Sequence, residues 1–316
     1  MDLIIDPSTL DPDSRAAAAR LANGYAALVA LTTALIVLGA MVRAHGAGLA
    51  CPDWPLCFGQ LVPEFNLRVA FEYSHRVVAG CVSLIFLGLS VALLRNPALR
   101  SSVGRFVYAG ALLLLVQIIL GALTVWELLA SWTVTSHLVT GNAVNASFLL
   151  IAAQLRDASR PRSASAVGPG LRAAVLATAG ILLVQLVLGG LVSSTFAGLA
   201  CDEWPACHGG EWFPGFEGGR GTHLYHRLGA YTLLAALAGT AIAARGSGRL
   251  GHLLGTATVI GILQAGVGIA NVLLRIPIEV TGLHSLLAAC LVMLTVLAVR
   301  EAWPGGQGAQ AAATAL

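Results

Sequence analysis

Four histidines, His75, His137, His226 and His284, each stand within about two helical turns of the same end of an even-numbered apolar run, so all four belong to one depth. Imidazole is a neutral ligand that suits iron, copper or zinc. A single histidine in such a run reads as a packing residue bonded to a neighbour. Four that recur in pairs at matched depth point to ligation. Within each pair the members lie on different helices, 62 residues (75 to 137) and 58 residues (226 to 284) apart, which rules out compact zinc motifs. Two imidazoles that meet from separate helices are instead what an iron porphyrin needs for axial ligation inside a bundle.

Around the first of them the chain reads Glu72-Tyr73-Ser74-His75-Arg76. Residues three and four apart share a helix face, so Glu72, His75 and Arg76 project toward one neighbour. The stretch returns as His223-Leu224-Tyr225-His226-Arg227, with His223 in place of Glu72. Only the first copy therefore has a carboxyl one turn from its ligand. Desolvated there, that group suits proton transfer near neutral pH; the other reading is that Glu72 only orients His75 as a hydrogen-bond acceptor. This asymmetry makes the first copy the reactive one and the second its support. Arg76 and Arg227 suit two-point binding of haem propionates, or else snorkel to the membrane interface.

Helices must carry these groups. With 57% apolar and 10% charged residues, the chain is too apolar for a soluble domain and long enough for several membrane spans. Eight are expected: Tyr25 to Val42, Val69 to Leu94, Phe106 to Val125, Trp132 to Leu155, Leu171 to Val192, Thr222 to Ala244, Leu250 to Leu274 and Glu279 to Val299. Each is near the ~20 residues that cross the hydrocarbon. There is no lysine, and most arginines gather at alternate span ends: Arg15 and Arg20; Arg95, Arg100 and Arg105; Arg156, Arg160, Arg162 and Arg172; Arg245 and Arg249; Arg300. The positive-inside rule makes that face, with both termini, cytoplasmic. The segment up to Arg20 is acidic and reads as a short tail rather than a cleaved signal. No aromatic-basic patch is visible, which excludes nucleic acid as a partner.

The chain also repeats itself. Gly48-Leu-Ala-Cys51-Pro-Asp-Trp54-Pro55-Leu-Cys57 matches Gly198-Leu-Ala-Cys201-Asp-Glu-Trp204-Pro205-Ala-Cys207 at an offset of 150. The register continues with His75-Arg76 on His226-Arg227 at 151, and with Gln117 to Gly121 on Gln264 to Gly268 and His137 on His284 at 147. Each half holds an even number of spans, so the fold class is an all-α membrane protein of two tandem four-helix bundles, related by a pseudo-twofold axis along the membrane normal. The expected division is a tail over 1–20, a first half over 21–156, a cytoplasmic linker over 157–170, a second half over 171–300 and a tail over 301–316. Gln-x-x-x-Gly occurs a third time at Gln185 to Gly189 and reads as helix packing or as the polar lining of a site. Both cysteine pairs fall in extracytoplasmic loops, where an oxidising compartment favours the disulfides Cys51 with Cys57 and Cys201 with Cys207. The second pair reads as a staple; the first leaves room for a redox role. Cys81 and Cys290 read as apolar fillers, and His45, His208 and His252 as surface or loop residues.

Together the Glu72-x-x-His75-Arg76 motif, His137, His226-Arg227, His284 and the two Cys-x5-Cys loops with their Trp-Pro resemble the haem A synthase family, from about Tyr25 to Val299. The resemblance implies eight spans from a duplicated four-helix unit. It also implies oxidation of the C8 methyl of haem O to a formyl group in successive steps, giving haem A for terminal oxidases. It makes His75 and His137 the ligands of the substrate haem, Glu72 the catalytic acid-base or charge-stabilising residue, and His226 and His284 the ligands of a haem b cofactor. It further implies a part in turnover for Cys51 and Cys57, and a structural bridge for Cys201 and Cys207. The partners to expect are haem O and haem A, membrane lipid, the enzyme that makes haem O, an electron partner and a second copy of the chain. From another class, the competing reading is a di-haem b electron carrier, which staggers its haems across the bilayer; a repeat transporter would bind at the midplane.

Overall fold

The computed structural model describes residues 10–64, 66–160 and 167–303; the ends of both expected tails and part of the expected linker lie outside them. Eight α-helices follow in order: α1 (Pro12–Ala44), α2 (Leu67–Arg95), α3 (Pro97–Trp126), α4 (Ser131–Ser159), α5 (Pro169–Ser194), α6 (Gly218–Ala243), α7 (Arg249–Leu273) and α8 (Ile278–Ala302). Local chemistry starts several of them. Asp11 caps α1 by accepting from the Ser14 N–H at 2.8 Å ahead of Pro12, so this helix begins well before the apolar run that marks it in the sequence. Asn66 caps α2 through Val69 N–H, and Asn96 caps α3 through Leu99 N–H with Pro97 behind it.

Neighbouring helices form two rings. In the first, α1, α2, α3 and α4 each pack on the next, and α4 closes on α1; in the second, α5 to α8 do the same and α8 closes on α5. The rings meet through α1 on α8 and through α4 on both α5 and α8. Tyr25, Leu28, Phe86, Leu93, Phe148, Ile151 and Leu155 fill the first ring, where the Phe86 and Phe148 rings stack at 4.8 Å. Leu182, Leu237, Leu250, Leu254 and Leu291 serve the second in two smaller clusters. The outward faces are apolar too: Leu84 is 70% exposed, Leu112 62% and Ile262 59%. Helices apolar all round belong in lipid. Seven of the eight are long and apolar enough to cross a membrane, so the protein is a multi-pass membrane protein. The exception is α6, whose first turns carry Arg220, His223, His226 and Arg227.

Polar bonds lock the rings together at both ends. Arg43 at the end of α1 donates to the Ser193 carbonyl at the end of α5 at 2.8 Å, and its guanidinium lies 3.7 Å over the Phe196 ring. At the opposite end Arg300 of α8 pairs with Asp157 of α4, both buried, and reaches Gln154 Oε1 at 3.4 Å. Breaking a buried pair costs about 3–5 kcal/mol. Arg300→Ala should therefore lower the thermal unfolding midpoint in detergent clearly, and an unshifted midpoint would mean that this contact does not hold α4 to α8.

Candidate haem sites

Each of the four histidines lies against a glycine of the preceding helix. A Cβ on Gly39 would stand 3.1 Å from His75 Cε1, on Gly121 3.2 Å from His137, on Gly189 3.1 Å from His226 and on Gly268 3.1 Å from His284. A side chain there would crowd the ring, which would have to give by a few tenths of an ångström. Every one of these glycines is five residues from the end of its helix (39 of 44, 121 of 126, 189 of 194, 268 of 273). The histidines stand eight residues past the start of α2 and α6 (67 to 75, 218 to 226) and six past the start of α4 and α8 (131 to 137, 278 to 284). At 1.5 Å per residue that is about 9–12 Å along each helix from its start. His75 and His137 stand on α2 and α4 of the first ring, and His226 and His284 on α6 and α8 of the second.

The rings are half-buried, and their inner nitrogens are poorly satisfied. Nδ1 of His75, of His137 and of His284 is buried without a hydrogen-bond partner. Such groups are costly in a packed interior, and a histidine kept only for packing would be bonded. Glutamines approach two of the rings: Gln117 Nε2 is 3.3 Å from His137 Nε2, and Gln185 Nε2 is 3.0 Å from His226 Nδ1 while also donating to the His226 carbonyl at 3.0 Å. Glycine seats, unsatisfied imidazoles and their pairing on facing helices all fit haem as the group held here.

Glu72 is buried, and both its oxygens are engaged: Oε1 accepts from Arg76 Nη2 at 2.6 Å and Oε2 from the Cys51 N–H at 2.8 Å. Neither bond runs to His75 Nδ1, so the acceptor-to-His75 reading has no bond behind it. In the second ring His223 Nδ1 stands 3.4 Å from the Cys201 nitrogen and 3.0 Å from the Ala197 carbonyl oxygen, and its tautomer sets which of the two it bonds. Both arginines face the cysteine loops. Arg76 donates to the carbonyls of Cys51, Asp53 and Leu56, and Arg227 to those of Cys201, Glu203 and Ala206, which are the same positions 150 residues on. The fold turns much of each guanidinium toward backbone carbonyls.

The loops themselves are closed by Cys51–Cys57 and Cys201–Cys207 disulfides. Asp53 accepts from Gly59 and Phe58 N–H groups, and these bonds, with Arg76 nearby, hold its carboxyl below the usual range. Asp202 is held below it by His208 and Arg275. His45 stacks on Phe71 at 3.9 Å, and His252 is exposed. Cys81 and Cys290 are free, the first exposed and the second half-buried. The seat Gly39 is the functional residue that motif reading passed over, because Leu35 stands where the other seats have glutamine. The 150-residue offset from Gly189 would have found it.

The fold and the site define a class: an all-helical, multi-pass membrane protein with half-buried histidines gathered at one end near disulfide-closed loops. The chain belongs to the COX15-CtaA family of cytochrome oxidase assembly proteins, whose model matches residues 25–67 and 64–296. It is 30% identical over 309 residues to the heme A synthase of Shewanella oneidensis, covering 85% of this chain and 92% of that one. It is 26% identical to the heme A synthase of Rhizorhabdus wittichii, over 92% of this chain and 95% of the relative, and 27% identical to that of a Bradyrhizobium species, over 91% of each.

Proposed function

We propose that this protein is a haem A synthase, an oxidoreductase that converts the C8 methyl of haem O to a formyl group. The observation that carries the reading is the set of four imidazoles, each seated on a glycine at one depth. His75 and His137 would hold the substrate haem, and His226 and His284 a haem b cofactor, which would supply redox chemistry beside the reacting site. Glu72 is the reactive residue of the first site. A methyl on an aromatic macrocycle loses electrons more readily when positive charge developing on it is stabilised, and a fixed carboxylate provides that stabilisation. Arg76 and the Cys51 N–H hold Glu72 in place, which favours charge stabilisation over a mobile proton carrier. Any propionate contact of Arg76 and Arg227 shares those guanidinium groups with the loop carbonyls.

On this reading α6 crosses the membrane as an eighth span, and residues 21–156 and 171–300 form two halves about a pseudo-twofold axis. Arg43 touching Ser193, its own equivalent 150 residues on, is the kind of contact that such an axis produces. Left-handed backbone at Leu128 and Leu129 recurs at Arg275 and Ile276, 147 residues later. Both termini are cytoplasmic, and the cysteine loops and haem sites face the outside of the inner membrane. The enzyme that makes haem O and an electron partner would meet the protein there or at its lipid face, and a second copy is a further candidate.

Protein purified from cells that make haem O should carry haem b together with haem O or haem A, resolved by acid extraction and chromatography. Two equivalents of haem b and nothing else would return the protein to the electron-carrier reading.

A further inference from the structure

We infer that Gly80 and Tyr231 are the specificity-determining residues that sort the two haems, Gly80 by leaving a way out of the first site for the isoprenoid tail of haem O and Tyr231 by closing that way in the second. The inference rests on the proposed ligand pairs. In the register that sets His75-Arg76 on His226-Arg227, 151 residues apart, Gly80 falls on Tyr231. Each stands five residues past its histidine, about 7.5 Å further along the helix. Gly80 is exposed, and a Cβ placed on it would meet nothing within 4 Å. In the second copy a phenol fills that position, and its oxygen accepts from the Trp204 indole N–H at 3.3 Å. Trp54, the equivalent of Trp204, lies instead edge-on to Trp126 at the end of α3, with 5.9 Å between ring centroids.

The opening lies between α2 and α3. These helices are joined by Asn96 alone and pack least on each other of all the neighbours in the first ring, whereas α6 and α7 pack more closely. Around α2, at about 100° per residue, Gly80 lies within about 40° of Leu94. Leu94 borders Gly104 of α3, 3.5 Å from a Cβ placed there, so the flank that meets α3 beside Asn96 is empty at Gly80. Haem O differs from haem b in bearing a hydroxyethylfarnesyl chain where haem b has a vinyl group. Two imidazoles grip either iron alike, so axial ligation does not tell the two haems apart. Room at the porphyrin edge does. A long apolar chain is accommodated where it can run out between helices into lipid, and is excluded where a side chain already fills that space.

The test is titration of the purified full chain in detergent, its resident haem b in place, with haem O and separately with haem b, read from the Soret band and checked by extraction. Gly80→Tyr should weaken haem O binding by about 10-fold or more, the scale of overfilling a packed site, and leave binding of added haem b unchanged. Tyr231→Gly, purified from cells that make haem O, should carry haem O in the second site in place of part of its haem b. Wild-type affinity for haem O in Gly80→Tyr, as for a groove that only lipid fills, would overturn the inference, and so would equal weakening of both haems. If Gly80→Tyr does not fold, Tyr231→Gly decides, and a second site that still holds haem b alone overturns it equally. Failure of the underlying reading looks different: His75→Ala and His137→Ala would both retain haem O with the wild-type spectrum.

Discussion

Glu72→Ala should abolish conversion of haem O while both haems remain bound. The expected loss in turnover is about 10²–10³-fold or more, the usual effect of deleting one preorganised electrostatic group. Haem retention is expected because the carboxylate makes its bonds to Arg76 and to the Cys51 N–H, with none to His75 Nδ1. Glu72→Gln sharpens the test, since the amide oxygen can still accept from Cys51 while the charge and the bond from Arg76 are lost. Turnover by Glu72→Gln near that of wild type would refute the charge-stabilising role and leave Glu72 as an anchor for the loop. Alanine also removes one of the loop's anchors, so reactivity of the Cys51–Cys57 bridge toward a thiol reductant should be measured in both variants. A loss of turnover in Glu72→Gln without a change in that reactivity assigns the effect to the carboxylate.

The second large effect is expected at the other site. His226→Ala and Gly189→Val should each empty it of haem b, the first by deleting a ligand and the second by placing methyls where a single Cβ already comes within 3.1 Å of the ring. Haem b per protein, read from pyridine haemochrome spectra, should fall by about 10-fold or more. The mirror variant Gly39→Val should reduce bound haem O and spare haem b. Retention of haem b in both second-site variants, with a native elution profile, would remove His226 as its ligand. Loss of haem b from Gly39→Val would mean that the sites are not independent.

Much of this is readable from residue types and spacing. Apolar length marks most of the helices, because a chain in lipid must satisfy its backbone within each segment. The 150-residue repeat exposes the duplicated loops, the paired histidines and the single place, Glu72 against His223, where the copies part. The start of α1 at Pro12 was hidden, since a capped polar turn carries no apolar signal. The short apolar content of α6 likewise reflects its polar histidine end.

Other features needed the fold. Gly39 became a seat for His75 only when α1 lay on α2, and Arg76 found the carbonyls of Asp53 and Leu56 only when the loop folded back over it. Periodicity along one chain states which residues share a face, and a repeat states which positions correspond. Neither states which backbone group will meet a long side chain across a gap, because that depends on helix separation and loop path, which many packed side chains set together. Residue identity therefore placed the histidines and the carboxylate, and packing decided what holds each of them still.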